Sequence, residues 1–543
     1  MFYIAPLKRS FGIASFVVLI SITFYNCNKK AGPFEINKKI IYNQQCGKVL
    51  LSSNKQGYFT PLLISNIFSN YRKIEYLDFN LNQNTYPRDF SMDCTCGVFL
   101  TERTNKTGYD VIYYNFLKKL KVNITNGSHA EFSDPIFINK DNLLMLENGK
   151  IKLYDVNKST WSLLASSVDF RFLFKGQNNK AYLQDFEGDI WSFSFEDHLF
   201  KKLWQSTSEF VGSRQIKYNQ DKLYFLSDHI NGFNSIFVLD ETKNLIIDSI
   251  VENNDIFLLS QIADNSSVSY IRNVGLTFSS DDVPIKSKGV LYDAFLKQDS
   301  ILMLYSDLNK PASLFINDQG ELKDILGQHL DIKPYRVVTD SKYEGVDNLI
   351  FYPLKKENSW VVWLHGGPNE QVSLRYNRYF YSLLESGVGV IAINYPGSTG
   401  KGNKRELLGV PDHESLQYQV RSIGHDLDKI IKNNRIKKIS LVGVSYGSKI
   451  AQQLIKEGKY NFDHFIDFSG IGTDSNFFIK DISTLYIFGD KDFMLYNKDR
   501  IQLLKKHQES GARIKILENE GHSISGKNNI SKICEEISSF MAQ

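Results

Sequence analysis

The stretch Lys438-Ile439-Ser440-Leu441-Val442-Gly443-Val444-Ser445-Tyr446-Gly447 limits what this chain can fold into more than any other. It is a strand that runs straight into G-V-S-Y-G, and Lys449-Ile450-Ala451-Gln452-Gln453-Leu454-Ile455 follows with apolar residues at helical spacing. A strand, a tight turn and a helix around such a pentapeptide put the serine hydroxyl at the top of a sheet, because the glycines permit a turn too sharp for side chains. Ser445 is therefore the candidate nucleophile. An ordinary glycine turn is the alternative reading of the same five residues.

A serine hydroxyl needs a base and an orienting acid, and behind an elbow of this kind they follow in the order acid, then histidine. His507 and His522 are the histidines at a suitable distance. His507 ends Arg500-Ile501-Gln502-Leu503-Leu504-Lys505-Lys506, which reads as a helix with a solvated face, so a surface position is expected for it. His522 follows Glu518-Asn519-Glu520-Gly521, directly after the strand Ile514-Lys515-Ile516-Leu517. A loop at a strand's carboxyl end is where an open α/β sheet places its reactive groups, so His522 is the expected base. The strand Thr484-Leu485-Tyr486-Ile487-Phe488 ends in Gly489-Asp490-Lys491-Asp492, which leaves Asp490 and Asp492 as candidate acids. Two glycine-rich turns lie upstream. Val361-Val362-Trp363-Leu364 leads into His365-Gly366-Gly367-Pro368, and Val388 to Ile393 leads into Asn394-Tyr395-Pro396-Gly397-Ser398-Thr399-Gly400-Lys401-Gly402. Such turns let backbone N–H groups approach a developing oxyanion, together with the N–H of Tyr446.

Between about residues 40 and 330 the chain changes character. There is no convincing helix, and short aromatic and β-branched runs are broken by Asn, Asp, Gly and Ser. Strands opening at Ile74, Val111, Ile151, Ile190, Ile236, Val268 and Leu314 are spaced by 32 to 46 residues. Several share the form strand, polar turn, strand, as in Leu143–Leu146 before Ile151–Asp155. A strand-only repeat near 40 residues predicts an all-β propeller of about seven blades, with a stacked sandwich as the alternative.

The ordered set H-G-G-P, N-Y-P-G-S-T-G-K-G, G-V-S-Y-G, G-D-K-D and E-G-H resembles the prolyl oligopeptidase family of serine peptidases, which includes dipeptidyl-peptidases and acylaminoacyl-peptidases. The resemblance covers about the last 200 residues by motif and the rest by architecture. It implies a propeller at about 40–332 followed by an α/β-hydrolase domain at 333–543, with a boundary near Lys333-Pro334. It also implies that the acid stands three residues after Gly489, at Asp492, with Asp490 the alternative. His365 and Gly366 match the loop beside the oxyanion hole, and the propeller restricts access to short peptides. The chain departs from the family at Pro396, where arginine is usual, at Ser448, where a second glycine is usual, and at Phe493-Met494-Leu495-Tyr496, where a valine-proline pair is common. Asp492 also comes only 47 residues after Ser445, an interval short enough that no substrate specificity carries over.

At the N-terminus, Lys8-Arg9 precede an apolar run from Phe11 to Tyr25, and Cys27 follows. The run is short for a membrane span and has the layout of a signal peptide over 1–27. The cysteine at its end resembles a bacterial lipoprotein signal, so the expectation is a lipid on Cys27 and a chain held at the cell envelope, with plain secretion or an uncleaved anchor as alternatives. In an oxidising compartment Cys46 pairs with Cys94 or Cys96, and Cys534 belongs to the core of the last helix. With 64 basic and 60 acidic residues the charge is close to balanced, which gives no support to a nucleic-acid partner. No phosphate-binding loop, dinucleotide fingerprint or metal-ligand cluster is present, so neither cofactor nor metal is expected. Three functions fit: a serine peptidase on short peptides, a serine esterase, or a decayed hydrolase serving as a binding lipoprotein.

Overall fold

In the computed structural model, the described residues are 36, 40–43, 46–69, 71–80, 82–103, 108–126, 128, 130–164, 167–176, 179–206, 215–219, 222–227, 233–262, 268–281, 283, 288–297, 300–318, 321–327, 335–340, 347–353, 359–400, 402, 413–472 and 482–541. The expected signal segment with Cys27, and the boundary at Lys333-Pro334, lie outside them. Among the described residues no helix is long and apolar enough to cross a membrane.

Among the described residues up to Asp324, the strands from Ile41 onward form sheets in chain order, antiparallel but for one register. Five are four-stranded meanders, beginning at Ile41, Thr85, Phe132, Phe170 and Ile216. A seven-stranded sheet follows, made of three strands from Ile256 to Ser279 and four from Gly289 to Asp324. The two groups join through a parallel register between Phe278 and Val290. There are thus seven packing units, and the period-2 alternation of their strands explains how they stack. Leu143 and Met145 face the second unit while Leu144 and Leu146, one residue out of phase, face the fourth. Leu223 and Phe225 face the fourth unit, and Tyr224 and Leu226 the sixth. Met303 and Tyr305 pack toward the sixth unit, whereas Leu302 and Leu304 pack against Val49, Leu51, Leu62 and Ile64 of the first. That last core closes the circle, so each unit is covered on both faces by its neighbours. The outermost strands are the exposed ones, as in Leu245–Ile250.

Of the strands singled out by spacing, Val111, Ile151, Ile190, Ile236 and Leu314 each lie in the third strand of a four-stranded unit. Ile74 belongs instead to a fourth strand and Val268 to a second. Those two out-of-phase positions account for the short interval from Ile236 to Val268 and the long one from Val268 to Leu314, whereas Ile190 and Ile236, both in third strands, are themselves 46 residues apart. Of the two pairings open for Cys46, the structure contains Cys46–Cys94, and Cys96 is a buried free thiol.

The remainder builds a mixed eight-stranded sheet in the order Val337–Asp340, Asn348–Phe351, Gly389–Ile393, Ser359–Leu364, Lys438–Val444, Phe462–Phe468, Ser483–Gly489, Arg513–Leu517. From Gly389–Ile393 onward neighbouring strands are parallel. Helices cover both faces, which is why the strands read as continuous apolar runs. Val361, Trp363, Val442 and Val444 pack under the helices Arg378–Glu385 and Lys527–Met541. Val362, Leu364, Ile439 and Leu441 pack under His413–Asn434 and Tyr446–Lys456. Cys534 is core on the first of these faces.

Candidate active site

Ser445 stands between the end of the strand Lys438–Val444 and the first residue of the helix Tyr446–Lys456, with φ 50° and ψ −115°. A positive φ is unusual for a side-chain-bearing residue and is held here by main-chain bonds. The Ser445 N–H donates to Phe468 O at 2.9 Å, and Ser445 O accepts from Ser448 N–H at 3.1 Å and Ile471 N–H at 3.2 Å. Neither flanking glycine has room for a methyl group. A Cβ on Gly443 would strike the Ser448 backbone, and one on Gly447 would strike the carbonyls of Leu364 and His365. Ser448, where the resembled family has glycine, is accommodated by the glycine opposite, since a Cβ on Gly470 would meet its hydroxyl.

The structure brings Ser445, His522 and Asp492 together across three strand ends. Ser445 Oγ lies 2.9 Å from His522 Nε2. His522 Nδ1 lies 3.0 and 3.1 Å from the two carboxylate oxygens of Asp492. An ionised carboxylate only accepts, so Nδ1 carries the proton and Nε2 presents a lone pair to the serine O–H. Asp492 is fully buried and sits there for a local reason: it caps the short 3₁₀ turn Phe493–Tyr496, accepting the Met494 N–H at 3.0 Å. Asp490 faces elsewhere in the same turn, where its Oδ1 accepts the Glu520 N–H at 3.1 Å. The Lys491 N–H donates to Glu520 O at 2.8 Å, so the turn that carries Asp492 and the loop that carries His522 are stitched by main-chain bonds.

The Tyr446 N–H lies at the start of a helix, beside Ser445, where the helix dipole favours negative charge. The His365 ring does not act as an exposed donor: it stacks on Tyr395 at 4.2 Å and is buried. Its Nδ1 donates to Gly366 O at 2.7 Å, and its Nε2 meets Ser398 Oγ at 2.8 Å. Tyr395 OH donates to His365 O at 2.7 Å. His365 and Gly366 thus form a loop braced from the side, and any help they give an oxyanion comes through backbone placement.

Four buried polar groups around the site were not singled out from the sequence. Gln419 accepts from Tyr446 OH at 2.9 Å and donates to Pro396 O at 2.9 Å, tying the elbow to the second glycine-rich turn. Arg500 and Asp467 form a fully buried ion pair at 2.7 Å behind the nucleophile strand's neighbour. Glu520 is fully buried beside the base. Gln419 and Arg500 carry a readable signal: each interrupts an apolar helix face, among Leu416, Val420 and Ile423 in one case and Leu503, Leu504 and His507 in the other. The same spacing corrects His507, expected at the surface but buried, with its Nδ1 bonded to Tyr486 OH. It falls seven residues after Arg500, on the inner face of the helix. Among the described residues no group of three or more His, Cys, Asp or Glu is placed to hold a metal.

Burial pushes the Glu520 carboxyl up to about 7, and the nearby Glu102 carboxylate adds to the rise, against bonds from Ser525, Asn529 and Gly526 that favour ionisation.

No family model matches the chain. Over 104 residues, 19% of this chain and 13% of the relative, it is 31% identical to acylamino-acid-releasing enzyme 1 of Oryza sativa subsp. japonica. In structure it is similar to an acylaminoacyl peptidase of Pyrococcus horikoshii, with TM-score 0.69 and 12% identity over 96% of this chain and 97% of that one. It is similar also to a puromycin-hydrolyzing peptidase of Mycobacterium tuberculosis, with TM-score 0.70 and 12% identity over 93% and 94% of the two chains.

Two outcomes follow from this geometry. Asp492→Asn puts an NH₂ donor where one carboxylate oxygen stood and so favours the wrong imidazole tautomer; if Asp492 is the acid, turnover is expected to fall by roughly 10⁴-fold, with Asp490→Asn costing far less, and the reverse ranking in steady-state kinetics would move the acid to Asp490. Because the Glu520 pKa is raised above the ordinary carboxyl range, its contribution to stability is full below that range and is lost as pH rises through about 7. The unfolding temperature of the wild type, measured relative to Glu520→Gln, therefore falls between pH 5 and pH 8, and a constant difference would contradict this. The fold, spread over nearly the whole chain, is that of these acylaminoacyl and related peptidases.

Proposed function

We propose that this chain is a serine peptidase that hydrolyses short peptides through an acyl-enzyme. The observation that carries the reading is the hydrogen-bonded sequence Ser445 Oγ, His522 Nε2 and Nδ1, Asp492 carboxylate, at 2.9, 3.0 and 3.1 Å. On this reading Ser445 attacks the scissile carbonyl as His522 takes its proton, then His522 returns that proton to the leaving amine. Asp492 keeps the imidazole in the productive tautomer throughout. The Tyr446 N–H, with the loop at His365 and Gly366, receives the developing oxyanion. Water repeats the sequence to free the acyl group.

The closed ring of seven sheet units is read as a seven-bladed propeller over about 40–332, and the mixed sheet as an α/β-hydrolase domain over 333–543. The choice of peptides over other acyl compounds is supported by the acylamino-acid-releasing and peptidase names of the relatives, and on this reading the ring limits access to slender chains. A lipid on Cys27 would hold the chain at the cell envelope, and loss of Cys27→Ser from the membrane fraction checks this.

Short chromogenic peptides are expected to be cut by the wild type and not by Ser445→Ala, while folded proteins are spared. Simple acyl esters turned over far better than any peptide would replace the peptidase reading with an esterase. A folded chain with no turnover of either would leave a binding lipoprotein.

A further inference from the structure

The loop that carries His522 is closed on itself by one side chain and held from the N-terminal ring by several, Asn54, Tyr58 and Asn84 among them. Glu520 turns back across the loop: its Oε2 accepts the Ser525 N–H at 2.9 Å, and its Oε1 accepts the Gly526 N–H at 2.9 Å and Asn529 Nδ2 at 2.8 Å. His522 lies within the segment so closed. Ser525 is one of the points at which the ring takes hold, beside the Lys527 N–H on Gly57 O at 2.8 Å and Tyr58 OH on Glu518 O at 3.1 Å. The Ser525 carbonyl accepts from Asn54 Nδ2 at 3.1 Å, and its hydroxyl accepts from Asn84 Nδ2 at 2.6 Å and donates to Glu520 Oε2 at 3.3 Å.

Asn84 is buried, and its amide orientation is settled by its partners. Oδ1 accepts the Phe59 N–H at 2.9 Å, while Nδ2 also donates to Glu102 Oε2 at 2.8 Å. The flipped amide would set its oxygen against the Glu102 carboxylate and its NH₂ against a backbone N–H. Asn84 therefore has one seating, braced by the first two sheets of the ring, and from it reaches into the base loop. A loop shift of about 1 Å would stretch the Ser445–His522 contact beyond hydrogen-bond reach.

We propose that Asn84 is a positioning residue for the base: through Ser525 and Glu520 it holds His522 between Ser445 and Asp492. The inference rests on the hydrolytic reading above and extends it, since it gives the ring a part in assembling the site besides limiting access. Asn84 touches no reacting atom, so it acts on the geometry of the base alone.

The test uses the full chain with Asn84→Ala, Ser525→Ala and the pair, on a short chromogenic peptide, with rates expressed per chain folded. Each single change is expected to lower kcat by ~10–100-fold with KM little altered, because the base is displaced and the substrate's binding surface is not. The double variant is expected to be no worse than the weaker single, since both changes break the same chain of contacts. Asn84→Asp, which keeps the acceptor for Phe59 N–H but donates nothing, is expected to behave as Asn84→Ala. A merely structural role would lower the unfolding temperature and leave kcat per folded chain within twofold of wild type, and that result overturns the proposal, as does a change confined to KM. Should Asn84→Ala not fold, Ser525→Ala decides alone, since the main-chain bonds of the loop remain. An active wild type with unchanged variants overturns this inference only; a wild type inert toward peptides and esters overturns the hydrolytic reading and this with it.

Discussion

The close approach of two main chains at Gly447 sets the geometry on which the rest depends. There the helix that follows Ser445 presses against the carbonyls of Leu364 and His365, leaving no space for a Cβ. This contact draws the elbow and the His365 loop to one place on the sheet edge. Beside it, the unusual backbone of Ser445, a cost on the order of 1–3 kcal/mol, is held by its bonds to Phe468, Ser448 and Ile471. Once the elbow is fixed, the strand order decides which other loops can reach the hydroxyl. Phe462–Phe468 intervenes between the nucleophile strand and Ser483–Gly489, and Arg513–Leu517 stands at the edge. Asp492 and His522 leave the carboxyl ends of these last two strands, and the parallel register aligns Gly489 with Leu517.

Much of this was legible in the sequence, for identifiable reasons. A nucleophile elbow is a local motif, because the turn needs glycine at both flanks and a strand and a helix on either side. The position of His522 was legible because it follows a strand after a short polar run. The choice between Asp490 and Asp492 was not open to the residues alone, since both close the same strand; a capping bond to Met494 N–H turns one inward, and a bond to Glu520 N–H turns the other to the loop. The ring was visible as a repeat, but with two strands out of phase, since Ile74 and Val268 are as β-branched and as turn-flanked as the third strands they were grouped with. His507 was misplaced because the two lysines before it suggested a solvated face, whereas its spacing from Arg500, Leu503 and Leu504 carried the information.

The contacts that cross from the ring to the sheet could not have been read from the chain. Asn84 and Ser525 are 441 residues apart, and nothing in either neighbourhood names the other. Polar side chains buried at such a distance must be matched or they cost free energy, so their pairing is a property of the assembled fold. The same holds for Gln419, which satisfies Tyr446 OH and Pro396 O together. At Pro396, where the resembled family usually has arginine, the acceptor is a main-chain carbonyl that any residue would supply, so this contact is indifferent to the departure.

The central claim is that Ser445 is a nucleophile activated by His522. Labelling the folded chain with a fluorophosphonate and locating the adduct by peptide mass spectrometry tests it most directly. The account predicts one adduct, on Ser445, formed orders of magnitude more slowly in His522→Ala because the hydroxyl then lacks its base. Labelling at another residue, or at Ser445 with undiminished rate in His522→Ala, would contradict it.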